Sequence, residues 1–554
     1  MIKLSPSCRR RHWIVLLALF LAVLVLQGLS GSWTSELMDP DEPAHFVSGL
    51  LVRDYIAGGL GSSPIEFARD YYSHYPKVAI GNWPPVFYGI QGVWMLVFPA
   101  HPLSVLLLLG LLTSALGWLV FRMLCPVIGT AHAAFGAGLL ILLRPVPTYA
   151  GMVMIENALA LMTTVALLLW VRHLERGGIR DLVAFGAMAG VAAMTKGNAL
   201  FLVLLPPFAV GIGGRWDALR SRGIWLAALP VVLLAVPWTW YFLGDVVTGW
   251  RGVLPSAEHM SSAVTSYATG LRRSIGLLGT ALFAIGLWVQ LVRGGARQST
   301  HAALWVSAAG LLAAVVLFHL LVPADIGMRH LIPAYPAIVM FLAAGAHHCT
   351  CWLGGRGLGR KTASAIVLCS AALAFGVEAF MPPTKNVEGY RTAALIVLEH
   401  TGADQASTSL IVSDAQGEGA FIVEVAIRDR HRPRHVVWRA TNLLSLATWA
   451  GRGYQLRADG DDDVVRLLEQ AAIRFVVMDR AFKPLPHQRQ LERVIQGNPD
   501  RFILLAELPL RRGRRTFPDG LAVYEVLPGP GAAAEAPTIR QVPGYDGVEA
   551  LGRR

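Results

Sequence analysis

Eleven long apolar runs within the first 381 residues decide what this chain can fold into. They cover 13–30, 103–124, 132–147, 154–172, 182–195, 198–213, 223–243, 275–292, 302–322, 331–348 and 362–381. A helix needs about 20 apolar residues to cross the hydrocarbon layer, with somewhat fewer tolerated, and these runs reach or approach that length. Lipid offers no partner to an unpaired backbone group, so runs of this kind cross as helices. The chain is 54% hydrophobic and 15% charged. A soluble chain is nearer a quarter charged, and the deficit lies in residues 1–381, whereas 382–554 read as an ordinary soluble segment. The fold class expected is an α-helical polytopic membrane protein with about eleven crossings and a C-terminal soluble α/β domain.

Basic residues set the topology. Arg9, Arg10 and Arg11 precede the first run, which is read as an uncleaved helix with a cytoplasmic N-terminus. The remaining cytoplasmic loops then hold Arg122; Arg172, Arg176 and Arg180; Arg215, Arg220 and Arg222; Arg293 and Arg297; and Arg356, Arg360 and Lys361. Counting the apolar stretch 86–99 as a crossing would place all of these outside, against the positive-inside bias. That stretch is therefore expected as a helix at the outer surface, within a long outer loop 31–102. The net charge of +12 follows from these loops, so it does not point to nucleic acid. The five cysteines contain no CxxC pair and no zinc spacing. Eleven crossings put residues 382–554 outside. There, 409–413 and 474–478 read as buried strands, with a helix over 461–472 between them. The tail from about 528 is rich in Gly, Pro and Ala and is expected to be mobile.

Several ionisable residues fall on the outer side. Asp39-Pro40-Asp41-Glu42-Pro43-Ala44-His45 follows the first helix. Acidic residues there suit a helix start, but ionisable groups at a membrane face are also candidates for function. Tyr71-Tyr72-Ser73-His74-Tyr75-Pro76-Lys77 and Gly81-Asn82-Trp83-Pro84-Pro85 come later in the loop. Their aromatics suit interfacial anchoring, while His74 and Lys77 can meet a phosphate headgroup. Glu156 opens an apolar run, Lys196 lies between two runs, and Arg329 and His330 precede another. Lys196 can snorkel to the interface or bind an anion. The planar fork of arginine suits a phosphate.

In their order and shared side these segments resemble the polytopic glycosyltransferases of the GT-C class, in the protein O-mannosyltransferase and aminoarabinose-transferase branch. The residues that carry the resemblance are Pro40-Asp41-Glu42 with His45, Gly81-Asn82-Trp83-Pro84-Pro85, Glu156, Thr195-Lys196-Gly197-Asn198 and Arg329-His330-Leu331-Ile332-Pro333-Ala334. The resemblance covers about residues 10–350. It implies transfer of a sugar from a polyprenyl-phosphate carrier to an acceptor hydroxyl of protein, lipid or polysaccharide on the outer face, and the lack of a disulfide framework with the high Ala, Gly and Arg content suits a bacterial inner membrane. Asp41, Glu42 and Glu156 are then the catalytic candidates. His45, His74, Lys77, Lys196, Arg329 and His330 are the candidates for binding substrate. Asn82-Trp83 stand where some relatives carry a basic residue before the Pro-Pro pair. No cofactor is required, although paired acids could hold a divalent cation as in the oligosaccharyltransferase branch. The competing reading is a lipid or polysaccharide flippase or transporter. Transporters place charge at the midplane on broken helices and often repeat internally; here the acids lie at loop edges and no repeat is evident.

Overall fold

The computed structural model describes residues 6–528 apart from 38, 80, 82, 221–222, 243–255, 294–300, 323–324, 380–384, 403–404, 431 and 447–452. Asn82 and the tail beyond 528 lie outside the described residues. The chain forms two compact units. One comprises Met1–Ser30, Trp83–Phe87 and Leu106–Pro383. The other joins Gly31–Asn82 and Tyr88–Val105 to the chain from Thr384 onward.

The first unit is helical, and each of the eleven apolar runs falls on a helix. Among the described residues, seven helical stretches are long and apolar enough to cross a membrane: His12–Leu29, Pro102–Ile128, Glu156–Arg176, Gly223–Tyr241, Ala257–Arg293, Ala302–Leu321 and Met328–Leu358. The other four runs lie on Thr130–Leu142, Ile179–Ala193, Gly197–Gly213 and Arg360–Ala379. At 1.5 Å per residue, the 13-residue Thr130–Leu142 helix is only about 20 Å long. The protein is a multi-pass membrane protein of mostly helical fold.

In lipid, burying apolar side chains gives little drive for one helix to pack on another, so close backbone approach matters more. Small residues supply it here. A Cβ added at Gly286 would fall 1.9 Å from the Phe341 carbonyl oxygen, and one at Gly345 would fall 2.0 Å from that of Leu282. The helices Ala257–Trp288 and Tyr335–Leu353 thus pack on each other where only glycine fits. Two of the helical stretches begin as 3₁₀ segments, Gly197–Leu204 and Met328–Ala334, and continue as α-helix from Leu205 and Tyr335. Prolines at the junctions, Pro206 and Pro336, occupy first-turn positions where a missing N–H costs nothing. Lys196, Arg329 and His330 sit at these tightened starts.

The second unit holds a six-stranded sheet of β1 (Val387–Glu388), β2 (Thr408–Val412), β3 (Val436–Arg439), β6 (Phe475–Asp479), β7 (Phe502–Arg512) and β8 (Arg515–Val526), in the order β1-β7-β8-β6-β2-β3. A small hairpin of β4 (Ser445–Leu446) and β5 (Gln455–Leu456) lies apart from it. The two strands expected from the sequence are β2 and β6, each displaced by one residue, and they pair in parallel. The expected helix is Asp461–Gln470. Its Val464 and Leu468 are buried with Leu410, Val476, Val494 and Ala522.

The segment from Gly31 to Lys77 is built into this unit by buried polar links. The Glu36 N–H donates to the Val387 carbonyl at 2.8 Å. The Glu36 carboxylate accepts the N–H groups of Gly389, Tyr390 and Arg391 at 3.1, 3.1 and 2.9 Å. These open the helix Tyr390–Thr401, where the dipole favours an anion. Arg432 pairs with Asp54 at 2.9 Å, the Tyr75 hydroxyl donates to Asp429, and Lys385 pairs with Glu42 at 2.6 Å.

Candidate functional site

In the second unit the helix Asp41–Asp54 carries the first group of expected residues. Its start is capped locally. Asp39 Oδ1 accepts the Asp41 N–H at 2.9 Å, and Glu42 Oε2 accepts the Asp39 N–H at 3.0 Å. Glu42 is fully buried and its other oxygen meets Lys385, whereas Asp41 is only half-buried. Of the two adjacent carboxylates, Asp41 is thus the one with room to meet a substrate. One turn on, buried His45 bonds through Nδ1 to the Tyr88 hydroxyl at 3.0 Å. His74 closes its own helix: Nδ1 lies 2.8 Å from the Asp70 carbonyl.

Lys77 comes to the Asp41 segment from the far end of the loop. Its Nζ donates to the Pro40 carbonyl at 3.5 Å and to the Ala415 carbonyl at 3.3 Å. Burial brings its ammonium down to about 7. The Arg439 guanidinium adds to the fall, while Glu418, Asp41 and Asp39 oppose it. A lysine balanced there can hold an anion and can also give up a proton.

The first unit holds the second group. Glu156 opens the helix Glu156–Arg176 and pairs with Lys196 at 2.9 Å, both side chains nearly enclosed. Two residues on, Asn198 Nδ2 lies 3.2 Å from His319 Nε2 and 3.3 Å from His330 Nδ1. The two imidazoles stack with centroids 5.4 Å apart. With the amide as donor to both rings, His319 carries its proton on Nδ1 and gives it to the Val315 carbonyl at 2.8 Å. The His330 proton is then on Nε2, a buried donor with no hydrogen-bond partner among the described residues. Arg329 lies 3.9 Å from Asp325 and is about a fifth exposed.

The structure therefore brings Lys77 to the Pro40 carbonyl next to Asp41 and pairs Glu156 with Lys196, and it places His330 beside Asn198. It ties Glu42 to Lys385 and His74 to its own helix. Among the described residues no group of three or more His, Cys, Asp or Glu side chains is arranged to hold a metal ion. His319, Lys385 and Arg439 were not among the residues singled out from the sequence. A signal existed for His319, as a lone histidine near the end of an apolar run. Lys385 and Arg439 gave none, lying far along the chain in ordinary polar surroundings.

Residues 82–241 match the family described as dolichyl-phosphate-mannose-protein mannosyltransferase. No curated protein matches the chain as a sequence. Among solved structures, ArnT from Cupriavidus metallidurans, bound to undecaprenyl phosphate, aligns with a TM-score of 0.54 at 15% identity, over 92% of this chain and 97% of ArnT. The archaeal oligosaccharyltransferase AglB from Archaeoglobus fulgidus, in complex with an inhibitory peptide and a dolichol-phosphate, aligns with a TM-score of 0.51 at 12% identity, over 86% of this chain and 70% of AglB. The resemblance seen in the short motifs is borne out: residues 82–241 carry the mannosyltransferase family pattern, and the chain has the fold of the GT-C glycosyltransferases.

Proposed function

We propose that the protein is a glycosyltransferase that moves a sugar from a polyprenyl-phosphate carrier to an acceptor hydroxyl at the extracytoplasmic face of a bacterial inner membrane. The observation that carries this reading is the mannosyltransferase match over residues 82–241. Its support is a fold shared with an ArnT that was solved with undecaprenyl phosphate. The flippase reading has no comparable observation behind it.

In this reading the acceptor oxygen attacks the anomeric carbon, and the bond from that carbon to the phosphate oxygen breaks with its electron pair leaving on phosphate. The hydroxyl proton passes to a carboxylate. Asp41 is the base proposed, because its neighbour Glu42 is enclosed with Lys385. Glu156 keeps a second role as a carboxylate that holds Lys196 in place. The leaving phosphate gathers negative charge and needs fixed donors. Lys77, Lys196, Arg329 and the His330 Nε2–H are the groups proposed to supply them, with His45 and His74 at the edge of substrate binding. One carboxylate suffices as base, since a phosphate leaves with little help from an acid, and the scheme requires no metal.

The test uses purified protein in lipid nanodiscs with radiolabelled polyprenyl-phosphate sugars and a mixed envelope acceptor fraction. Asp41→Asn should lower transfer by about 10²–10⁴-fold, the usual worth of a positioned base, while donor binding persists. Equal transfer by variant and wild type would remove Asp41 from catalysis.

A further inference from the structure

Asp414-Ala415-Gln416-Gly417-Glu418-Gly419 follows β2 and opens the helix Ala415–Arg428, a context in which glycine-rich turns often cradle phosphate. Here the helix start is occupied by its own cap: the Asp414 carboxylate accepts the Gly417 N–H at 2.9 Å. The second glycine has a different use. A Cβ at Gly419 would lie 2.6 Å from Cγ of Pro43 and 3.2 Å from Cε of Lys77. The helix therefore lies at backbone distance from the Asp41 segment and from the stem of Lys77, closer than any side chain allows. At the tip of that stem the ammonium bridges the Ala415 carbonyl of the helix and the Pro40 carbonyl of the loop. Glu418, fully buried, is held by Arg439 Nε at 2.7 Å and by the Thr441 N–H and Oγ1 at 3.2 and 3.0 Å. The charged groups that act on Lys77 are Asp39 and Asp41 from its own loop, Glu418 from the helix and Arg439 from β3.

We infer that Gly419, Glu418 and Arg439 are positioning residues for Lys77: the first turn of the Ala415–Arg428 helix is the wall that holds its ammonium beside Asp41, and the Glu418–Arg439 pair sets the field there. This gives the C-terminal part of the chain a direct task in the proposed reaction, and it rests on the reading of Lys77 as a group that meets the lipid phosphate. The two members of the pair act on Lys77 with opposite sign. Glu418→Gln leaves Arg439 facing the ammonium without its partner and favours loss of the Lys77 proton. Arg439→Gln does the reverse.

The experiment measures binding of undecaprenyl phosphate to the full-length protein in nanodiscs from pH 5.5 to 9. Wild-type affinity should fall as pH rises through about 7. Lys77→Arg, charged throughout, should lack that fall and so isolate any titration of the lipid itself. Glu418→Gln should move the fall to lower pH and Arg439→Gln to higher pH, each by about one unit for charges several ångströms apart at a protein surface. Gly419→Ala should weaken binding about tenfold even at pH 6, by displacing the wall. If buried Glu418→Gln does not fold, half-buried Arg439→Gln carries the test alone. A fall that is present in the wild type and absent in Lys77→Arg, yet unmoved in Arg439→Gln, overturns the inference and leaves the role of Lys77 standing. Wild-type affinity in Gly419→Ala at pH 6 also overturns it. An identical fall in Lys77→Arg, or unchanged affinity in Lys77→Met, overturns the reading of Lys77 itself.

Discussion

The ion pair between Lys385 and Glu42 allows structure and catalysis to be separated at a single carboxylate. The pair is 2.6 Å long, with side-chain exposures of 3% and 0%. Lys385→Met keeps most of the volume and removes the cation. Breaking a buried pair from one side costs about 3–5 kcal/mol, because the remaining charge stays in a medium that solvates it poorly. Glu42 keeps the Asp39 N–H at 3.0 Å, which offsets part of that cost and favours the low end, about 3 kcal/mol. For a unit of about 240 residues, each kcal/mol moves the midpoint by about 2–4 °C, so the loss should be about 6–12 °C. The double variant Glu42→Gln/Lys385→Met removes both charges and should recover most of this loss. Thermal unfolding of the full-length protein in detergent reads the stability, and sugar transfer on the same samples reads the chemistry. A single variant within 2 °C of the wild type, or a double variant no more stable than the single, would refute the argument. Transfer surviving in the double variant makes Glu42 an anchor for the Asp41 segment. Transfer lost in a well-folded double variant would return Glu42 to the catalytic group.

Glu36 should make the second unit less stable as pH rises. Burial, with Glu424 nearby, pushes its carboxyl from its ordinary 4.5 up to about 7, against the pull of three backbone N–H groups. The folded state then keeps its proton to higher pH than the unfolded chain, so stability falls between about pH 4.5 and 7 and levels off above. The unfolding midpoint of wild type minus that of Glu36→Gln should decline across this window, and a difference that rises or stays flat would contradict the assignment. In the first unit, Lys196→Met should lower the yield of folded protein by leaving Glu156 without its ammonium in a nearly enclosed site. Lys196→Met/Glu156→Gln should restore the yield but not transfer; recovery of both would make the pair purely structural.

What the sequence shows of this fold is what local chemistry can show. The apolar runs lie on helices because hydrophobic length is a property of consecutive residues, although 132–147 breaks at Leu143–Arg144 before Pro145, and β2 and β6 fall within one residue of their expected places for the same reason. The candidate residues at 41, 42, 156, 196 and 330 were visible because a charge or an imidazole beside an apolar run is conspicuous. The meaning of each was not visible, since it depends on partners far away in sequence. Asp41 and Glu42 are adjacent acids in one helical turn, and nothing local separates them. Lys385, 343 residues later, does so by enclosing one of them. Gly419 was equally opaque: nothing local sets it apart from a glycine of a surface turn, whereas its missing side chain admits Pro43 and the stem of Lys77. The same logic applies to the C-terminal segment, which has no motif of its own. Its strands and helices put a carbonyl, a buried acid and an arginine around Lys77, about 340 residues earlier in the chain.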